Sequence, residues 1–113
     1  MTYTNFERDL IEWIIEQLSE PTLATQLRAA TVTSREYTGA GLFLRLDVPG
    51  SARQPLPPGL RSPISGPQIA ASSIPNGAGT LLFHEDGIIS LLEVYTYTDS
   101  LTAELSDYRL HAG

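Results

Sequence analysis

The stretch Gly77-Ala78-Gly79-Thr80-Leu81-Leu82-Phe83-His84-Glu85-Asp86-Gly87-Ile88-Ile89-Ser90-Leu91-Leu92-Glu93-Val94-Tyr95-Thr96-Tyr97 decides how this chain folds. Two runs rich in leucine, β-branched and aromatic residues flank Asp86-Gly87, a dipeptide favoured in two-residue hairpin loops. An antiparallel hairpin follows, with Glu85 opposite Ile88 and His84 opposite Ile89. Continued without interruption, that register puts Leu82, His84, Ile89, Leu91, Glu93, Tyr95 and Tyr97 on one face. Leu81, Phe83, Ser90, Leu92 and Val94 take the other. Both faces are then apolar, so strand 88–98 is central, or one sheet face is covered by a loop or a second subunit.

Upstream, Gly39-Ala40-Gly41 separates two further strands. The first runs from Thr31 to Tyr37. The second, Leu42 to Val48, alternates cleanly: Leu42, Leu44, Leu46 and Val48 share a face, and Phe43, Arg45 and Asp47 share the other. Before these, Phe6, Leu10, Ile11, Ile14 and Leu18 recur at helical spacing. Thr4 and Glu7 form a capping-box signature, which starts this helix near Asn5 and ends it before Pro21. Pro21 suits the first position of a short second helix carrying Leu23, Ala24 and Leu27. Seven of the eight prolines lie between Pro49 and Pro75. Proline lacks the N–H that a central strand needs, so a Pro/Gly-rich loop is expected at about 49–78. The tail from Leu101 to Leu110 forms a short helix or an edge strand. The fold expected is α+β: two N-terminal helices on one face of a mostly antiparallel sheet of about four or five strands.

A chain of 113 residues has the length of a single domain, 1–113. Cysteine is absent, so neither disulfides nor thiolate chemistry is available, which suits the cytoplasm. No signal-like or membrane-length apolar run is present, so no membrane partner is expected. Thirteen acidic residues against seven arginines give a net charge of −6, and a nucleic-acid backbone would be repelled. Between Asp47 and Glu85 nothing is acidic, so Arg45 and Arg53 stand as candidates for an anion or an acidic partner surface.

Catalytic constellations are sparse. The Gly-Ala-Gly elements lack the lysine and hydroxyl of a phosphate loop. The two histidines, His84 and His111, have no metal-site spacing, and no cofactor or metal is expected. An acid–base pair of His84 with Glu93 fails on distance, since four strand steps are roughly 13 Å. His84 reads instead as an exposed strand end beside the turn. Glu93 interrupts an apolar strand and needs a partner. It is either a structural carboxylate held by an arginine, a tyrosine or loop amides, or a functional one on a platform with Tyr95 and Tyr97. Those tyrosines are a recognition surface or an ordinary half-exposed strand. Trp13 reads as core.

The hairpin pattern G-x-G-x-L-L-F-x-x-D-G, followed by L-E-x-Y-x-Y over Leu92 to Tyr97, resembles one in small uncharacterised bacterial proteins with no established function. The resemblance implies a shared hairpin and a common role for Glu93, Tyr95 and Tyr97. Some small acidic proteins of this kind resemble immunity proteins. The expected function is a non-enzymatic protein-binding module, accessory or immunity-like. The alternatives are a ligand-binding protein or small enzyme using Glu93 in a pocket under the proline-rich loop, and a homodimer formed through an exposed sheet face or edge.

Overall fold

Helix α1 (Asn5–Leu18) begins where the capping box places it. In the computed structural model, which describes all 113 residues, Glu7 N–H donates to Thr4 Oγ1 at 3.2 Å and Thr4 N–H donates to Glu7 Oε1 at 2.9 Å. Ser19 ends the helix in the left-handed region, at φ 49°. Helix α2 (Pro21–Ala29) starts on its proline, with Glu20 Oε1 accepting from Thr22 N–H. The stripes of both helices, including Phe6, Leu10, Ile14, Leu23 and Leu27, are buried against one sheet face.

That sheet has seven strands: β1 (Thr31–Tyr37), β2 (Gly41–Asp47), β3 (Ile64–Ser65), β4 (Gln68–Ala71), β5 (Ile74–Glu85), β6 (Ile88–Thr96) and β7 (Arg109–His111). Their spatial order is β1-β2-β6-β5-β4-β7, with β3 also on β5, and every pairing is antiparallel. The α+β class and the two helices on one face stand as expected; the strand count is higher than four or five. The difference comes from the segment 49–78, which is loop only as far as Pro63 apart from a 3-10 turn at Gly50–Ala52. Pro67 falls in the gap between β3 and β4, just after Gly66 N–H has donated to Thr80 O at 2.8 Å. Pro75 sits beside the β4–β5 turn. The prolines thus occupy places where a missing donor costs little.

Asp86 and Gly87 form the hairpin loop with φ 52° and 81°. Beyond it the register departs from the uninterrupted one. His84 pairs with Ile89, but Phe83 pairs with Leu91, so Ser90 is an extra residue on β6. This bulge moves Leu81 and Phe83 onto the face of Leu91, Glu93 and Tyr95. It also frees the Ile89 amide, which donates to Gln26 Oε1 at 2.9 Å.

Gln26 is wholly buried on α2, and its Nε2 donates to Gln54 O at 2.7 Å and Gly87 O at 2.9 Å. One amide therefore ties the second helix, the proline-rich loop and the hairpin turn together. Replacement by leucine orphans the buried Ile89 amide and takes a donor from Gln54 O and Gly87 O, of which Gly87 O still accepts from Leu56 N–H at 2.9 Å; an orphaned buried group costs about 1–3 kcal/mol. Gln26→Leu is expected to lower stability by roughly 2 kcal/mol in urea denaturation; a change under about 1 kcal/mol would contradict this account of the bulge.

A second buried polar link joins α1 to β1. Glu7, wholly buried, receives Arg35 Nε at 2.6 Å and Arg35 Nη2 at 2.8 Å. The hydrogen bond from Arg35 to this carboxylate holds the guanidinium's pKa above its ordinary value. Nearby, the Tyr3 hydroxyl donates to Leu27 O at 2.8 Å, and burial, reinforced by Glu7, pushes its ionisation up. Tyr37 is pushed up to about 12, chiefly by burial and then by Glu104. In both cases the native state keeps a proton that the unfolded chain loses near pH ~10. Stability is therefore constant below that pH and falls as pH rises above it, by up to about 1.4 kcal/mol per pH unit for Tyr3. Denaturant midpoints should drop from about pH 10, the ordinary phenol value, to about pH 12, where Tyr37 ionises in the folded protein, and Tyr3→Phe should flatten the drop. Midpoints that stay level across that window would count against it.

Candidate functional site: the uncovered face of the sheet

The helices occupy only one side of the sheet. On the other side the strand pairings lay out a grid of side chains. One row runs Glu36, Phe43, Glu93, Leu81 and Ser65 across β1, β2, β6, β5 and β3. The next runs Ser34, Arg45, Leu91 and Phe83. A third places Tyr95 between Gly41 and Gly79. Phe43, Leu81, Phe83, Leu91 and Tyr95 are partly exposed and belong neither to the buried core nor to the side chains packed against it. No segment of the chain closes over them. The proline-rich loop follows the hairpin turn and the β5 edge instead, and the 98–108 segment sends Leu101 and Leu105 into the core.

Tyr95 lies across Gly79. A methyl group at position 79 would stand 2.3 Å from the Tyr95 hydroxyl and 2.4 Å from its Cζ. Glycine is needed here so that the ring can bridge its neighbour strand rather than stand off it. Tyr97 meets Tyr95 edge-on, with centroids 5.6 Å apart, and its hydroxyl donates to Gln68 Oε1 at 2.6 Å. Burial, and then the hydrogen bond with Tyr97, raise the pKa of Tyr95. The aromatic pair is a fixed, amphipathic corner of the face.

No family model, curated protein or solved structure matches this chain. The chemistry of the face is read from its own residues.

Glu93 sits at the middle of the grid with Phe43 and Leu81 to either side, and its carboxylate makes no hydrogen bond or ion pair. Neither does the guanidinium of Arg45, its diagonal neighbour. The ion pairs of the chain, Arg28 with Glu12 and Arg35 with Glu7, both lie on the helix side. The carboxylate buried with a partner is Glu7, whereas Glu93 is partly exposed and unpaired. A pocket around Glu93 under the proline-rich loop is not what the structure forms: Glu93 lines none of the five best-formed hollows. The largest, about 530 Å³, lies at the β4–β7 edge and includes Tyr97 and Gln68, with Arg109 and His111 opposite.

Of the residues singled out by sequence, Glu93, Tyr95, Tyr97 and Arg45 share the uncovered face. Arg53 does not; its Nη1 donates to Val48 O at 3.3 Å beyond the end of β2. His84 is not a free strand end. Its N–H donates to Ser62 Oγ at 3.0 Å, and its Nε2 lies 2.7 Å from Leu60 O, which makes Nε2 the protonated nitrogen. Its Nδ1 is buried without a partner. Phe43, Leu81 and Phe83 are the functional candidates that sequence reasoning missed; an apolar residue at position 43 on the outward side of β2 was the available signal. No three His, Asp or Glu side chains gather as metal ligands, and no helix is long and apolar enough to cross a membrane.

Proposed function

We propose that the protein is a non-enzymatic protein-binding module, of the accessory or immunity-like inhibitor kind, acting in the bacterial cytoplasm through the uncovered face of its sheet. One observation carries this reading: five large apolar or aromatic side chains surround an unpaired carboxylate on a sheet face that nothing in the chain covers. A contiguous apolar patch rimmed by charge is the pattern of an interaction site, and tyrosine and phenylalanine are enriched at such sites. The absence of cysteine suits a reducing compartment, and the net charge of −6 disfavours nucleic acid as the partner. No acid–base pair converges on the face, since His84 is engaged with the loop at Leu60 and Ser62.

The test is affinity capture from native lysate, with wild type beside a Glu93→Gln/Tyr95→Ala/Tyr97→Ala variant shown by circular dichroism to be folded. A partner retained by wild type and lost by the variant is the expected result. Equal retention by both would move the binding surface elsewhere, and no retained protein at low salt would remove the reading.

A further inference from the structure

An uncovered apolar face is an aggregation hazard unless something shields it. We infer that in the free protein the occupant is a second copy of this chain, the two sheets packing face to face with Arg45 of each copy directed to Glu93 of the other. The inference rests on the reading of this face as a protein-binding surface and names what fills it first.

Charge placement carries the argument. The chain's acidity is concentrated on α1, where Asp9, Glu12 and Glu16 are exposed, and this helix lies on the opposite side of the sheet. Two copies meeting through their uncovered faces keep those carboxylates at the far outer surfaces, separated by two sheets and two helical layers. At the shared face each copy brings one unpaired cation, Arg45, and one unpaired central anion, Glu93. These sit diagonally across adjacent strands, with Phe43 beside Glu93 and Leu91 beside Arg45. A two-fold interface is self-complementary, so a single opposite pair per face gives two ion pairs across it. A neutral or wholly acidic face would lack this match. Glu36 and Asp47 stay at the rim, exposed to water.

Size is consistent with a modest dimer. The three outward rows span five, four and three strands, and at about 4.8 Å between strands and about 6.8 Å between rows they give a footprint with side-chain margins of about 600 Å². That is somewhat below the roughly 800 Å² each partner contributes to a standard interface. A reversible dimer follows, which a heterologous partner for the same face would have to displace.

Charge exchange tests this. Sedimentation equilibrium from 5 to 500 μM (a range bracketing the micromolar affinities of interfaces of about this size) should show wild type as a monomer–dimer equilibrium. Arg45→Glu and Glu93→Arg, each confirmed folded, should each weaken the dimer at least tenfold, because each places like charges face to face. Mixing the two variants should restore association, as should Arg45→Glu/Glu93→Arg in one chain. A monomeric wild type at 500 μM would overturn the inference, and so would single variants that dimerise like wild type. A monomeric wild type whose captured lysate partner is lost with Glu93→Gln/Tyr95→Ala/Tyr97→Ala would overturn the dimer while leaving the protein-binding reading intact.

Discussion

Gly41→Ala is expected to destabilise the protein by more than about 3 kcal/mol, and in a domain of ordinary marginal stability to leave a large unfolded fraction at 37 °C. The alanine methyl would stand 2.0 Å from the carbonyl oxygen of Val94 and 3.0 Å from its carbonyl carbon. Both atoms belong to the backbone of the central strand, so neither can swing aside as a side chain would. Relief requires that β2 and β6 separate where Leu42 pairs with Val94 and Gly41 pairs with Tyr95. Gly79→Ala provides the contrast. There the nearest atoms are the far end of the Tyr95 ring, which can rotate away, so the fold should survive while the aromatic corner of the face is lost. Thermal melts of the two variants beside wild type decide the matter, and equal melting temperatures for Gly41→Ala and Gly79→Ala would contradict this reading.

Arg35→Met should be nearly as damaging, at about 3–5 kcal/mol. The methionine fills much of the arginine's volume, but the Glu7 carboxylate, with no exposed surface, loses both guanidinium bonds. What remains is the Thr4 amide at 2.9 Å, a single donor for a buried anion. The double variant Glu7→Gln/Arg35→Met removes the charge together with its partner and should recover part of the loss, leaving mainly the weakened cap of roughly 1 kcal/mol. A double-mutant cycle by urea denaturation measures the coupling. A cycle that sums to zero would mean that the pair contributes nothing as a pair.

Local chemistry was legible in the sequence wherever one segment settles its own structure. Thr4 and Glu7 mark the start of α1, Pro21 the start of α2, and Asp86-Gly87 the hairpin turn, because caps and turns are satisfied within a few residues. The alternation in 42–48 assigned the inward and outward sides of β2 for the same reason. Ser90 carried no comparable signal. An extra serine on a strand is ordinary by composition, yet a one-residue slip turns Leu81 and Phe83 to the opposite face. Glu7 was readable as a cap but not as a buried ion pair, since Arg35 lies 28 residues away and meets it only when α1 packs on β1. Gln26 was unreadable for the same reason: its three partners lie on two other segments. The proline-rich segment misled because proline excludes a donor, and β3, β4 and the start of β5 place their prolines where none is required.

The candidate site divides along the same line. The outward position of Arg45 and the common face of Glu93, Tyr95 and Tyr97 follow from strand alternation alone. Their meeting with Phe43, Leu81 and Phe83 depends on the order β2-β6-β5 and on the bulge, which only the folded sheet supplies. Glu93 is left without a partner in the chain because both faces of β6 are apolar and only one is covered by helices.

The central claim is that this uncovered face meets protein. Site-specific photocrosslinking in living cells tests it most directly, with a benzophenone amino acid at Phe43 and a control at Gln17, which is exposed on α1. The account predicts a light-dependent covalent adduct from position 43, at about twice the chain's 12.3 kDa if the occupant is a second copy, and none from position 17. Equal expression of both variants with no adduct from position 43, or equal adducts from both positions, would contradict it.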